Sequence, residues 1–259
     1  MAAGLVAASM NHRELSEVSA SFWRLAGGPQ AFPRSLEEPI LWALPLAVVR
    51  LPRLGLVAVR AQLRRLRVEC PFSDPDRLMR GCLVARRGEG LVFLDGADPA
   101  NEQGFSLAHE LAHFLLDYHL PRTRALDRLG PGVREILDGD RPPSPGERID
   151  SLLQGVSIKT YGHLMDRTWT GEVAHLQTLE AEDRADRLAL ELLAPRTEVL
   201  RVLASSAPQK SSQLSARVVD LLCSQFGLPG AVAERYAPLL TSAARPRMTF
   251  REWLGTAPT

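Results

Sequence analysis

His109-Glu110-Leu111-Ala112-His113 is the segment of this 259-residue sequence whose residue types and spacing best suit chemistry. Successive residues of an α-helix are turned by about 100°, so side chains four apart differ by only about 40° and share one face. Two neutral imidazoles placed that way can ligate one tetrahedral Zn²⁺. Glu110 projects beside that face and reaches a water on the ion instead of the ion itself. This is the station of a general base in metal-assisted hydrolysis.

A catalytic zinc needs a third protein ligand. His119 stands ten residues after His109, the spacing of the extended pattern H-E-x-x-H-x-x-G-x-x-H, but Leu116 occupies the place of the glycine that breaks the helix there. On an unbroken helix His119 points away from the first pair. Glu182, within Glu182-Asp183-Arg184-Ala185-Asp186, is the preferred candidate, because Asp186 follows one turn later on the same face and can orient a ligating histidine through its free N–H. Glu180 is a lesser candidate for the same duty. Tyr161, His163 and His175 are candidate oxyanion or substrate donors, since a hydrolytic site often presents a neutral donor opposite its base. The commoner role of such residues is structural.

The elements that must position these groups are legible in outline. Leu15, Val18, Phe22 and Leu25 repeat with helical period and stop at Gly27-Gly28-Pro29, which predicts a leading helix over 12–26. Arg80 to Arg86 and Leu91 to Asp95 read as two strands of a hairpin around Gly88-Glu89-Gly90. Ser106 is placed to cap a helix running from Leu107 to Tyr118, with Pro121 as its stop. Residues 121–148, with Pro142-Pro143-Ser144-Pro145-Gly146 at their heart, read as a long flexible insertion. A strand through Val156, Ile158, Thr160 and Gly162 to Leu164 comes next, followed by a helix from Leu179 to Leu193 that ends before Pro195. After a polar break, Leu214 to Phe226 and a further segment to Leu240 predict two more helices with Gly227 and Pro229 between them. That pair has the outline of a helix-turn-helix, but Arg235 is accompanied by Glu234 and little else that could reach a phosphate or a base edge, which favours packing or partner docking.

Composition narrows the classes. With 45% apolar and 24% charged residues the chain is in the range of folded globular proteins, and a net charge of +1 provides no general attraction for nucleic acid or anionic membrane. Cys70, Cys82 and Cys223 lack a paired spacing, so neither a disulfide framework nor a thiolate metal cluster is expected. The apolar start Met1 to Met10 has no basic flank, and Ile40 to Val49 is too short to span a bilayer and reads as core. A cytoplasmic protein with no membrane partner is the expectation.

The stretch Phe105 to Leu116 around the H-E-x-x-H core resembles the active-site helix of the ImmA/IrrE family of zinc metallopeptidases. Glu182, Ala185, Asp186, Leu188, Ala189, Leu192, Leu193, Ala194 and Pro195 resemble that family's second signature, E-x-x-A-[ND]-x-F-A-x-x-L-L-M-P, with Leu188 in place of phenylalanine and Ala194 in place of methionine. The resemblance implies that His109, His113 and Glu182 ligate one Zn²⁺ and that Glu110 is catalytic. It also implies a protein substrate, a helix-turn-helix transcriptional repressor, and a role in transcription regulation. The fold it leads us to expect is α+β, a gluzincin-like minimal metallopeptidase core in which a small twisted sheet packs on the active-site helix and the glutamate helix. The expected organisation is an N-terminal helix over 1–30, a metallopeptidase core over 31–205 and a helical region over 206–259. A zinc-stabilised binding protein without turnover, and a DNA-binding regulator using residues 206–259, are the rival readings.

Overall fold

The computed structural model describes residues 10–148, 155–167, 176–205 and 211–244. The chain divides into two compact units, Met1–Leu193 and Ala194–Thr259.

The first unit opens with α1 (His12–Leu25), which Asn11 and Glu14 start through a reciprocal capping box. Two short helices, α2 (Glu37–Ala43) and α3 (Leu56–Arg65), flank strand β1 (Leu46–Leu51). Of the apolar run expected to be core, Ile40, Leu44 and Leu46 are buried, whereas Leu41 and Trp42 face outward on α2. Strands β2 (Met79–Arg86) and β3 (Glu89–Asp95) form the anticipated hairpin. Its turn is Arg87-Gly88, both at positive φ, one step earlier than the glycines suggested. Two positive-φ residues in succession match the right-handed twist of the strands they join. Strand β4 (Tyr161–Asp166) completes a sheet of order β1-β3-β2-β4, with β1 parallel to β3 and the other pairs antiparallel.

Side chains alternate across a sheet, so register decides which residues face the site. Cys82, Val84 and Phe93 pack with Leu56, Val59 and Leu63 of α3 on one face, and Leu164 joins them from β4. His163 pairs with Leu83 and Tyr161 with Ala85, which turns both toward the opposite face. There lies α4 (Ala100–His113), and α7 (Leu176–Leu193) packs along it. On α7, Ala185, Leu188, Ala189 and Leu192 are fully buried and form the stripe that docks the helix. Each of the two leucines contributes about 1.5–3 kcal/mol through burial. Ser16 and Ser19 of α1 bond Glu191, tying α1 to the end of α7.

Three readings of the sequence need correction. Helix α4 starts at Ala100 behind Pro99, and Ser106 is an interior, buried residue whose hydroxyl caps nothing. Nor does Pro121 stop it: the chain widens into a π-helical turn over Phe114–His119 and continues as α5 (Leu120–Leu129). An interior proline clashes with the carbonyl four residues back, and here that residue, Asp117, lies in the widened turn. Lastly, part of the supposed flexible insertion is folded. Ala125 of α5 and Ile136 and Leu137 of α6 (Arg134–Asp138) bury one another with Val133, and Val156 and Ile158 pack on them instead of extending β4.

The second unit holds α8 (Arg196–Ala204), α9 (Ser211–Ser224) and α10 (Gly230–Ala244). Gly227, at φ 71°, makes the turn between α9 and α10, and Val218, Leu222, Phe226, Leu228, Ala233 and Leu240 are buried. Among the described residues, no helix is long and apolar enough to cross a membrane.

Candidate metal centre

His109 and His113 emerge from the last turn of α4 with their Nε2 atoms 3.2 Å apart. Across from them, α7 presents Glu182, whose Oε2 is 3.3 Å from His109 Nε2 and whose Oε1 is 3.5 Å from His113 Nε2. From β4, His163 directs Nε2 to the same Oε1 at 2.9 Å. One ligand atom from each of these four residues lies within 4.8 Å of all the others. Bonds of about 2.0 Å at tetrahedral angles place neighbouring ligand atoms about 3.3 Å apart, so the donor set fits one Zn²⁺-sized ion in both spacing and chemistry.

Carboxylates set the imidazole orientations. His109 Nδ1 faces Asp186 Oδ1 at 2.9 Å, and His113 Nδ1 faces Asp117 Oδ2 at 2.7 Å. A ring N–H donated to a carboxylate leaves Nε2 as the lone-pair donor and makes it more basic. Asp117 sits in the π-helical turn and gathers two further groups, Tyr161 Oη at 3.3 Å and Arg184 Nη2 at 3.1 Å. Burial pushes the His109 imidazole toward neutrality, but the bonds to Asp186 and Glu182 outweigh it and bring its pKa up to about 9 in the metal-free protein. His163 is likewise pushed down by burial and raised more strongly by Glu110 and Glu182, to about 10. Burial raises the Glu182 carboxyl, yet its bonds to His109, His113 and His163 hold it far below the usual carboxylate range. Asp186, Glu182 and Glu110 therefore hold protons on these two imidazoles where a metal would replace them.

Glu110 is completely buried. Its Oε2 faces His163 Nδ1 at 2.9 Å, while Oε1 makes no hydrogen bond. It lies flat on β2 because residue 81 is glycine: a Cβ there would sit 2.8 Å from Glu110 Oε1 and 3.0 Å from its Cγ. A cleft of about 1160 Å³ opens on the cluster, reached by His113, His163, Glu182 and Tyr161 but not by His109 or Glu110.

The residues singled out from the sequence thus separate clearly. His109, His113, Glu182 and His163 converge, with Glu110 and Asp186 touching them. His119 is stacked on Phe114 and outside the cluster, and Glu180 is exposed. Tyr161 spends its hydroxyl on Asp117, and burial, helped by the charges of Asp117 and Glu110, pushes that phenol up and keeps it neutral. His175 lies outside the described residues. Asp117 was not anticipated, although its place four residues after His113 repeats the relation between Glu182 and Asp186.

Residues 69–135 match the family model Peptidase_M78, the IrrE N-terminal-like domain. The matched span holds β2, β3 and the whole of α4, including His109, Glu110 and His113, and it agrees with the resemblance drawn from the two signatures. The family supports metallopeptidase chemistry in general terms, and it ends before β4 and α7, which deliver His163 and Glu182. No curated protein and no solved structure matches the chain.

Proposed function

We propose that the chain is a zinc-dependent endopeptidase that cleaves one specific protein partner, with His109, His113 and Glu182 as metal ligands and Glu110 as the general base. The observation that carries this reading is the meeting of two Nε2 atoms 3.2 Å apart with a carboxylate from a second helix, beside a buried glutamate that has one oxygen unbonded. A divalent ion held by that set supplies Lewis acidity toward a scissile carbonyl and lowers the pKa of water. Glu110 Oε1 accepts the proton that water gives up and returns it to the departing amine. Asp186 and Asp117 keep the two imidazoles in the tautomer that presents Nε2. The cleft is where a peptide would enter, and Tyr161, through Asp117, helps hold the His113 side of it.

The partner we propose is a helix-turn-helix repressor, on the strength of the two signatures, and transcription regulation would follow from its removal. Free Cys70, Cys82 and Cys223 suit a reducing compartment, and we place the protein in the cytoplasm. A zinc-stabilised binding protein without turnover is the second reading, favoured by the commitment of Glu110 Oε2 to His163. The test compares wild type with Glu110→Gln against candidate repressors, with metal content measured on both. We expect one zinc per chain in each and cleavage at least about 100-fold slower in the variant. Equal cleavage by the two would reject Glu110 as the base, and partner regulation that survives in the variant would favour the second reading.

A further inference from the structure

Three imidazoles in the cluster obey one construction rule. Each turns Nε2 toward Glu182 or its neighbours and gives Nδ1 to a carboxylate: His109 to Asp186 at 2.9 Å, His113 to Asp117 at 2.7 Å, and His163 to Glu110 at 2.9 Å. His163 Nε2 lies 2.9 Å from Glu182 Oε1, and its ring stacks on that of His113 with centroids 3.6 Å apart. A residue whose task was to donate to a substrate oxygen would keep a nitrogen free toward the cleft. His163 keeps neither free. It is set as a ligand is set, with the carboxylate of Glu110 in the place that Asp186 and Asp117 fill for the other two.

We propose that His163 is a fourth metal ligand in the resting protein, so that the centre is closed by three imidazoles and one carboxylate and the enzyme is latent. The proposal rests on the metal centre described above and goes beyond it. Closure has two effects that come together. The coordination position that substrate needs is filled by Nε2, and Glu110 is engaged at Nδ1 of the same ring. Departure of one side chain then opens the position and frees Oε2, the second oxygen of the base, in a single event. His163 is the suitable residue to leave: it belongs to edge strand β4, it lines the cleft, and its side chain is 12% exposed against 3% for His109 and 1% for His113. Chain entering the cleft along β4 meets this ring directly, which makes the correct protein partner itself the opener.

Cobalt(II) loaded into the metal-free full chain tests this without reference to turnover, using azide as the probe for an open position. We expect the wild-type protein to take up one Co²⁺ with an intense visible spectrum that azide leaves unchanged. His163→Ala should bind Co²⁺ at least about tenfold more weakly, show a shifted spectrum that responds to azide, and recover the wild-type spectrum when free imidazole is added. A wild-type spectrum that changes with azide, or a His163→Ala spectrum identical to wild type, would overturn the closed centre while leaving the metal site standing. Failure of wild type to bind cobalt, or binding unaffected by His109→Ala, would overturn the metal site and this proposal with it. The wild-type azide titration decides the matter even if His163→Ala does not fold.

Discussion

Asp117 accepts from His113 Nδ1 at 2.7 Å from within a turn of helix that is wider than α, and it bonds Arg184 of α7 and Tyr161 of β4 at the same time. One carboxylate thus joins the three elements that carry the clustered His109, His113, His163 and Glu182. Replacing it with alanine should lower metal affinity about 10–100-fold, because His113 loses both its tautomer control and its aim. Chelator competition on the purified protein measures this. An unchanged affinity would mean that packing alone orients His113.

Gly81 makes a different prediction, about the proposed base and not the proposed ligands. An added methyl would come within 2.8 Å of Glu110 Oε1 and must push that side chain off β2. Gly81→Ala should cost about 1–3 kcal/mol of stability from overpacking. It should also retain metal while losing most cleavage. Zinc content and cleavage measured on the same preparation separate the two effects; full activity in the variant would show that Glu110 works from another position.

The metal-free and metal-loaded proteins should respond oppositely to pH. His109 and His163 are raised from an ordinary value of about 6.5 to about 9 and about 10, so the folded metal-free protein keeps protons that the unfolded chain gives up. Their stabilising contribution is complete below about pH 6.5 and disappears as pH climbs through about 9–10. Thermal unfolding of the metal-free protein should therefore move to lower temperature across that window. Metal needs those rings neutral, so its affinity should rise over the same window and its binding should release protons. A metal-free midpoint that rises from pH 7 to pH 10 would contradict these charge states.

How much of this could be read in the sequence differs from residue to residue. His109, Glu110 and His113 were legible because all three lie on one regular helix, where spacing alone gives direction. Glu182 was reached through a second signature and through Asp186 one turn on. His163 was noted only as a donor, since a single histidine in an alternating segment acquires its neighbours from the pairing with Leu83, a long-range register that local pattern does not contain. Asp117 offers a local signal in its place four residues after His113, but its other two partners arrive from β4 and α7, which local pattern does not contain. The rule that proline ends a helix failed at Pro121 because the backbone could widen one turn earlier. Likewise the proline-rich composition around 142–146 hid the small apolar cluster of Ala125, Ile136 and Leu137 just before it.

Asp95 extends the argument from the cluster to what holds it in place. Its buried carboxylate accepts from the backbone N–H of Arg53, Leu54 and Ala97, and it pairs with Arg167 at 2.5 Å. Arg167 directly follows β4 and also reaches Asp98 at 2.8 Å, so the end of β3 anchors the end of the strand that carries His163. Burial pushes the Asp95 carboxyl up, but the Ala97 N–H, Arg167 and the Leu54 N–H outweigh it and hold it below its usual value. Its contribution is therefore in place above about pH 4 and is lost as pH falls further. Asp95→Ala strands three N–H groups and leaves Arg167 to Asp98 alone. The cost should be about 2–3 kcal/mol, less than the ~3–5 of a fully buried pair because Arg167 is 31% exposed. With that buried anchor gone the end of β4 keeps Arg167–Asp98 and Asp166–Arg77 but is held less firmly, and His163 should leave the metal more readily. The cobalt form of Asp95→Ala should then bind azide where wild type does not, although no ligand has been altered. Azide insensitivity equal to wild type in a folded, destabilised Asp95→Ala protein would mean that β4 holds His163 without help from its far end.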